Sequence, residues 1–210
     1  MINMQRLTKT WRLLLRNDFT AHYGLPVSTT ATISVNTNDV YFEIEDDAHR
    51  EIQIHALDGS GMAAYQNING YDVTIINYDK FITGLPSLFQ NGIKRCDLIV
   101  HTANQNYFLL NELKDRKPKS KVRNKSISQL LASLTMIMNV PAIITFANLH
   151  AVRQCCFFNK QSMAPPLISA TTAFNRLSTA VTTGLRMPNP SIEAFGFEFW
   201  EYSGNQVYRL

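Results

Sequence analysis

The segment KRCDLIVHTANQNYFLLNELKDRK, residues 94–117, constrains the fold more than any other stretch of the chain. Two apolar runs, CDLIVHT and YFLLNELK, flank the turn-forming residues TANQN. Side chains alternate across a strand with period two. Asp97, Ile99 and His101 therefore share one face of the first strand, and Phe108, Leu110, Glu112 and Lys114 share one face of the second. A hairpin centred between Asn104 and Gln105 makes Asp97 and Glu112 direct cross-strand partners, with Lys114 one step further along the same face. A register shift of one residue would move Asp97 to the opposite face, so the arrangement rests on the turn.

Facing carboxylates in a strand pair have Cβ atoms roughly 4.5–5.5 Å apart, and like charges at that separation destabilise it. Something positive should compensate: a divalent cation, Lys114, or both. Carboxylate oxygens completed by water and phosphate are the ligands Mg²⁺ prefers. A cation held this way can activate a water, and Lys114 can orient that water or neutralise developing charge. The alternative reading of so short a string is two edge-strand acids bridged by a lysine. Three features favour a site: the acids interrupt apolar strands, the spacing closes as a hairpin, and a strongly basic segment follows.

These residues resemble the PD-(D/E)xK nuclease superfamily. Cys96-Asp97 is similar to its first motif and Glu112-Leu113-Lys114 to its second, with fourteen residues between the acids. Cys96 stands where the family name has proline, at a position that varies widely among members. The resemblance covers about residues 80–150. It implies a restriction-endonuclease-like core, a central mixed β-sheet flanked by helices. It also implies Asp97 and Glu112 as ligands of Mg²⁺ or Mn²⁺, and Lys114 as a catalytic group. The family often adds an upstream acid, for which Glu43, Glu45 and Asp79 are all candidates.

Seven of the chain's twenty Lys and Arg lie between positions 114 and 125, opposed only by Asp115. Pro118 and Ser120 mark this segment as a loop. A basic loop leaving a site strand is where Arg116, Lys117, Lys119, Lys121, Arg123 and Lys125 would grip a phosphate backbone; a solvated loop is the alternative. The next run, SISQLLASLTMIMN, is apolar on most sides and reads as a buried helix at about 126–139. Ser126, Gln129 and Ser133 form a narrow polar stripe on it, which must face water, a partner or a site. Some branches of the resembled family carry a glutamine on this helix near the metal, which makes Gln129 a candidate catalytic residue. The tyrosine that follows it there is Ser133 here. After the Asn-Val-Pro break, an apolar strand is expected at about 141–147.

Elsewhere, residues 4–19 read as an amphipathic helix. Met4, Leu7, Trp11, Leu14 and Leu15 lie on one face, and Arg6, Lys9, Arg12 and Arg16 on the other. Residues 31–77 are β-rich, with DVYFEIED and REIQIHAL joined by DDAH, and YDVTIINY as a further strand. Residues 79–93 suit a short helix but contain Pro86. RQCCFF reads as a strand and residues 170–183 as a Thr- and Ala-rich helix. EAFGFEFWEY, SGN and QVYRL read as a C-terminal hairpin.

Composition narrows the function classes. Hydrophobic residues make up 45% and charged residues 17%, enough apolar material for a core and too little charge for a disordered chain. The net charge of +4 permits a nucleic-acid partner without requiring one. Cys96, Cys155 and Cys156 form no CxxC pair, so neither a disulfide framework nor a zinc site is expected. The N-terminus lacks a signal-peptide apolar region, its longest aliphatic run being residues 13–15. Gln129, Asn139 and Pro141 interrupt the most apolar stretch, so no membrane span is expected and the location reads as cytoplasmic. His49 and His55 lack companions at ligand spacing, and His101 reads as structural. No phosphate-binding glycine motif or G-x-S-x-G elbow is present.

The expectation is one domain over residues 1–210. Residues 1–78 form an N-terminal helix and β-rich extension, 79–160 the nuclease-like core, and 161–210 a C-terminal helix and hairpin. The expected function is metal-dependent phosphodiester hydrolysis, on DNA more than RNA, alone, as a homodimer or with a partner subunit. The alternatives are a non-catalytic nucleic-acid-binding or assembly subunit on the same fold, and a protein-interaction module.

Overall fold

The computed structural model describes residues 10–27, 34–46, 51–55, 59–117, 119–161, 184–204 and 206–210. In chain order its strands are β1 (Ser34–Thr37), β2 (Tyr41–Asp46), β3 (Ile52–His55), β4 (Ala63–Gln66), β5 (Val73–Asn77), β6 (Leu98–Thr102), β7 (Tyr107–Lys114), β8 (Val152–Asn159), β9 (Leu185–Met187), β10 (Glu198–Ser203) and β11 (Val207–Arg209). An N-terminal helix runs through α1 (Trp11–Leu13), a π-helical segment (Leu14–Phe19) and α2 (Thr20–His22). The later helices are α3 (Tyr78–Thr83), α4 (Ser87–Gln90), α5 (Ser120–Ile137), α6 (Pro141–Ala147) and α7 (Pro190–Glu193).

The strands form two mixed sheets, flanked by helices. The larger has seven strands in the order β1-β5-β6-β7-β8-β10-β9, and the smaller has four in the order β11-β4-β2-β3. In the larger sheet β5, β6 and β7 run as an antiparallel meander. The chain then crosses through α5 and α6 to β8, which lies parallel to β7. One face of this sheet, with Ile76, Ile99, Leu110 and Cys155, packs against Trp11, Leu14, Phe19, Leu130, Leu134 and Ile143 of the helices. Its other face, with Ile75, Val100, Leu109, Leu113 and Cys156, packs against Phe42, Ile44 and Tyr65 of the smaller sheet. The layers are helix, sheet, sheet. Covered on both faces, β7 is buried at every position from Phe108 to Leu113, which explains its nearly unbroken apolar run.

The β-rich region is divided between the layers. The β2–β3 hairpin and β4 belong to the smaller sheet, whereas β1 and β5 join the larger sheet beside β6. Residues 79–93 resolve into α3 and α4. The Asn77 side chain caps α3 by accepting from the Lys80 N–H at 2.7 Å, and Pro86 precedes α4.

Three sequence expectations are corrected. Residues 141–147 are helix, not strand: Pro141 occupies the first helical turn, where its missing N–H costs nothing, and Ile143 and Ala147 bury one face at helical spacing. The basic segment is a loop only up to Lys119; from Ser120 it is the start of α5, so Lys121, Arg123 and Lys125 are helical. The C-terminal strands form no hairpin. β10 lies between β8 and β9, while β11 pairs in parallel with β4 of the other sheet. The turn between them contains Gly204 at φ 59°, a conformation glycine adopts freely. The expected helix at 170–183 and the start of the N-terminal helix at 4–9 lie outside the described residues. No single helix among the described residues is long and apolar enough to cross a membrane, and α5 and α6 meet at a bend of 112°.

Candidate active site

The β6–β7 turn sets the site. Gln105 adopts φ 62°, and its N–H donates to the Thr102 carbonyl at 3.1 Å. The Thr102 hydroxyl oxygen accepts from the N–H groups of Asn106 and Tyr107 at 3.2 and 3.1 Å. The resulting register pairs Leu98 with Asn111, Ile99 with Leu110, Val100 with Leu109 and His101 with Phe108. Continued by one step, it sets Asp97 opposite Glu112, as the sequence spacing required. The Asp97 N–H donates to the Asn111 carbonyl at 3.1 Å.

Asp97, Glu112 and Lys114 come together on the helix-facing side of the sheet. The Lys114 ammonium contacts Glu112 Oε1 directly and lies 3.7 Å from Asp97 Oδ2. Asp97 Oδ2 also accepts from the Leu113 N–H at 2.7 Å. Glu112 is fully buried. Apart from the Lys114 ion pair, neither of its oxygens accepts a hydrogen bond of regular geometry from the described residues. Burial, reinforced by the charge of Asp97, pushes the Glu112 carboxyl well above its usual range. Burial also raises Asp97, against the opposing pull of Lys114. For Lys114 burial acts downward, but Asp97 and Glu112 together outweigh it, so the ammonium is held more firmly than usual.

Of the three upstream acids, Asp79 alone has its charge felt at both site carboxylates. Its backbone N–H donates to the Asp97 carbonyl at 3.2 Å, and its carboxylate pairs with Arg95. Glu43 and Glu45 belong to β2 of the other sheet. Glu43 accepts from the N–H groups of Gly59 and Gly61 at 3.1 and 2.7 Å, and Glu45 meets His55 at 3.1 Å.

The polar stripe of α5 faces inward onto the chain that delivers Asp97. Gln129 Nε2 donates to the Arg95 carbonyl at 2.9 Å, and the Ser133 hydroxyl accepts from the Cys96 N–H at 2.7 Å. Gln129 thus touches the backbone two residues before Asp97. Gln129 Oε1 and Ser126 Oγ are buried without hydrogen-bond partners among the described residues. Ser133 belongs to the polar stripe read from the sequence, and its position one step along that stripe from Gln129 is the signal of this role.

Arg116, Lys117, Lys119, Lys121 and Lys125 are exposed. Arg123 is partly withdrawn: its Nε lies 2.5 Å from Glu201 Oε1, and its guanidinium sits 5.8 Å from the centre of the Phe199 ring. Lys119 and Arg123 line a cleft of about 500 Å³ together with Phe157, Asn159 and Glu201. Phe157 is the register partner of Glu112 and Asn159 that of Lys114, so the cleft adjoins the acids across one strand.

The donor set suits a hard divalent cation. Two carboxylates face one lysine, while the third acid is matched by Arg95, and Glu112 keeps acceptor capacity that no described donor uses. No group of three or more His, Cys, Asp or Glu side chains among the described residues could hold an ion unaided. Water or phosphate oxygens would complete the shell, an arrangement common for Mg²⁺. No family model, curated protein or solved structure matches this chain.

Proposed function

We propose that the chain is a metal-dependent nuclease of the PD-(D/E)xK type, hydrolysing phosphodiester bonds of nucleic acid, with DNA the favoured substrate. The observation that carries this reading is the triad itself. Two buried or nearly buried carboxylates share one lysine at the end of a sheet, and the deeper carboxylate keeps Oε2 free of any described donor. Asp97 and Glu112 would hold Mg²⁺ or Mn²⁺, which when bound supplies Lewis acidity toward the phosphate and a more acidic water. Lys114, kept protonated by its two acidic neighbours, donates toward the attacking oxygen or the charge developing on phosphorus. Gln129 and Ser133 hold the Arg95–Cys96 backbone and thereby position Asp97.

The start of α5 supports a phosphate-bearing partner. Its first turn contains no acid, its N-cap Lys119 makes no side-chain cap, and Lys119 and Lys121 add positive charge to the positive end of the helix dipole. A nucleic-acid backbone would supply the missing anion. Three free, buried cysteines suit a reducing cytoplasm.

The test is cleavage of plasmid, linear and single-stranded DNA and of RNA at low salt, with Mg²⁺, Mn²⁺ or EDTA. The wild type should cut only with metal, and Glu112→Ala and Lys114→Ala should abolish cutting; metal-independent cutting would refute the reading. The direct Lys114–Glu112 contact favours a second reading, a structural ion pair on a non-catalytic nucleic-acid-binding subunit. Salt-dependent DNA binding without turnover or metal uptake by calorimetry would establish that one instead.

A further inference from the structure

At the opposite end of the same sheet face, Asn36, Thr74 and His101 form a polar row across β1, β5 and β6. Trp11 of α1, Phe146 of α6 and His150 just beyond it close over this row. Together they line a cavity of about 430 Å³, with Arg12, Thr102 and Gln105 among the other lining residues. That volume is within the range of small-molecule sites.

The side chains that line the cavity carry an unusual concentration of unmet hydrogen-bonding capacity just beneath its surface. Trp11 Nε1, both ring nitrogens of His101 and His150 Nε2 are buried without hydrogen-bond partners among the described residues. Trp11 is 1% exposed and His150 3%. Native proteins rarely leave buried polar atoms unpaired, so such a cluster calls for an occupant. His150 Nδ1 lies 3.0 Å from the Phe146 carbonyl oxygen, which can only accept. Nδ1 therefore carries the proton, and Nε2 is a bare acceptor in the neutral ring. Burial holds both imidazoles below their usual value, His101 at about 4, so both are neutral at neutral pH.

The chemistry on offer is one obligate donor from Trp11, one obligate acceptor from His150, and one of each from His101. The walls are rings: the Phe146 centroid lies 5.2 Å from Trp11, 5.5 Å from His101 and 4.9 Å from His150. With no carboxylate among the described lining residues, a divalent cation is a poor match.

We propose that this cavity binds a planar nitrogen heterocycle of nucleobase size. Such a ring stacks on aromatic side chains and carries donor and acceptor atoms along one edge, complementing Trp11 Nε1–H and His150 Nε2. The ring nitrogens are closed off from solvent, so binding requires the imidazole edges to turn toward the bound ring. Arg12, exposed at the same cavity and donating from Nε to Ser34 Oγ at 2.6 Å, adds the positive charge that a nucleotide phosphate favours. The site shares no residue with the Asp97–Glu112–Lys114 cluster and does not depend on the nuclease reading.

The chain has two tryptophans, so Trp200→Phe leaves Trp11 as the sole tryptophan, excited selectively at the red edge where tyrosine does not absorb. That variant of the full chain is titrated with the adenine, guanine, cytosine and uracil bases and their nucleoside monophosphates. The imidazole nitrogens are followed in parallel by ¹⁵N NMR. At least one base or nucleotide should quench Trp11 saturably and shift the His150 Nε2 resonance. His150→Phe should weaken that binding by about tenfold. Arg12→Gln, a surface change that leaves the core intact, should weaken the nucleotide more than its free base. Absence of saturable quenching by every base and nucleotide at millimolar concentration would overturn the proposal. Quenching with an unchanged His150 Nε2 signal would overturn it too, since the ligand would then sit elsewhere.

Discussion

The helix-facing side of the large sheet carries buried ionisable groups at both ends, and the two ends treat charge in opposite ways. At one end Asp97, Glu112 and Lys114 keep ions in contact. At the other, His101 and His150 are pushed toward the neutral form and have ring nitrogens without partners among the described residues. Between them the cross-strand row Ile76, Ile99, Leu110, Cys155 is wholly apolar. Burial drives both ends toward neutrality. The difference is a counter-charge: Lys114 resists protonation of the acids, whereas Arg153, the charged neighbour felt by His150, pushes in the same direction as burial. One end is built to hold charge against desolvation, and the other to exclude it.

The largest effect that separates stability from function should come from Glu112→Gln. It removes a buried charge whose oxygens find only Lys114 among the described residues. Metal-dependent cleavage should fall by about a thousandfold, the order expected when a group acting on the transition state is lost. Without metal, the same variant should be more stable than wild type at pH 8, because the raised Glu112 carboxyl marks its ionised form as costly in the folded chain and Lys114 keeps Asp97 as a partner. Cleavage rates and urea midpoints measured on the same preparation check both signs; a destabilised variant would mean that the ion pair is a net stabiliser.

Lys114→Met is the converse. It leaves two carboxylates facing each other without a cation and should cost about 3–5 kcal/mol at pH 8. The loss should shrink on acidification. Asp97 and Glu112 have folded-state values above their unfolded ones, so the folded chain takes up protons first. As pH falls from 8 toward the usual carboxylate range, protonation relieves the repulsion. Thermal melts at pH 8 and pH 5 decide it: a pH-independent loss would show that Lys114 stabilises by packing.

The imidazole end responds with the opposite sign. His101 is held at about 4, below its unfolded value of 6.5, so the unfolded chain protonates first. The stability contributed by this neutral histidine is complete above pH 6.5 and is lost as pH falls toward about 4, to a limit of roughly 3 kcal/mol. His150 adds in the same direction. Acidification therefore favours one end and penalises the other. His101→Phe should flatten the acid limb of the stability–pH curve while leaving cleavage at neutral pH unchanged. Denaturant midpoints from pH 7 to pH 4 measure it, and an unaltered limb would assign the acid sensitivity to other groups.

The acid end was legible from sequence and the imidazole end was not, for a physical reason. Asp97 and Glu112 are brought together by one hairpin, whose register follows from local turn residues and strand periodicity. The second cavity joins β1, β5, β6, α1 and α6, so His101 and His150 meet only after the whole sheet is assembled. A strand histidine seen alone carries no such signal. The same distinction explains the fold. Strands within the meander were readable from alternation, whereas β10 and β11 look like a hairpin because the choice of sheet is made by tertiary packing. Residues 141–147 are apolar enough for either state, and Pro141 at the start decides for helix. At α5, Ser120, which with Pro118 suggested a loop, is the first helical residue, and the lysines after it are compatible with a helix whose stability comes from the buried Leu130, Leu134 and Ile137 further along.

The smallest effect tests how far the charge-holding end extends. Glu201 stands in the same cross-strand row as Glu112, separated by Phe157, and Arg123 neutralises it. If this pair is a closed unit, Arg123→Gln should cost no more than about 0.5–1 kcal/mol, given its partial exposure, and leave DNA affinity nearly unchanged. Lys121→Gln should do the reverse, sparing stability but lowering affinity and reducing the salt slope by roughly one phosphate contact. Titrations of labelled duplex over a range of salt separate the two. An equal slope change in both variants would mean that Arg123 leaves Glu201 for phosphate when nucleic acid binds. Glu201 would then be a half-buried carboxylate released two strands from Glu112, and the charged end would span β10 as well as β6 and β7.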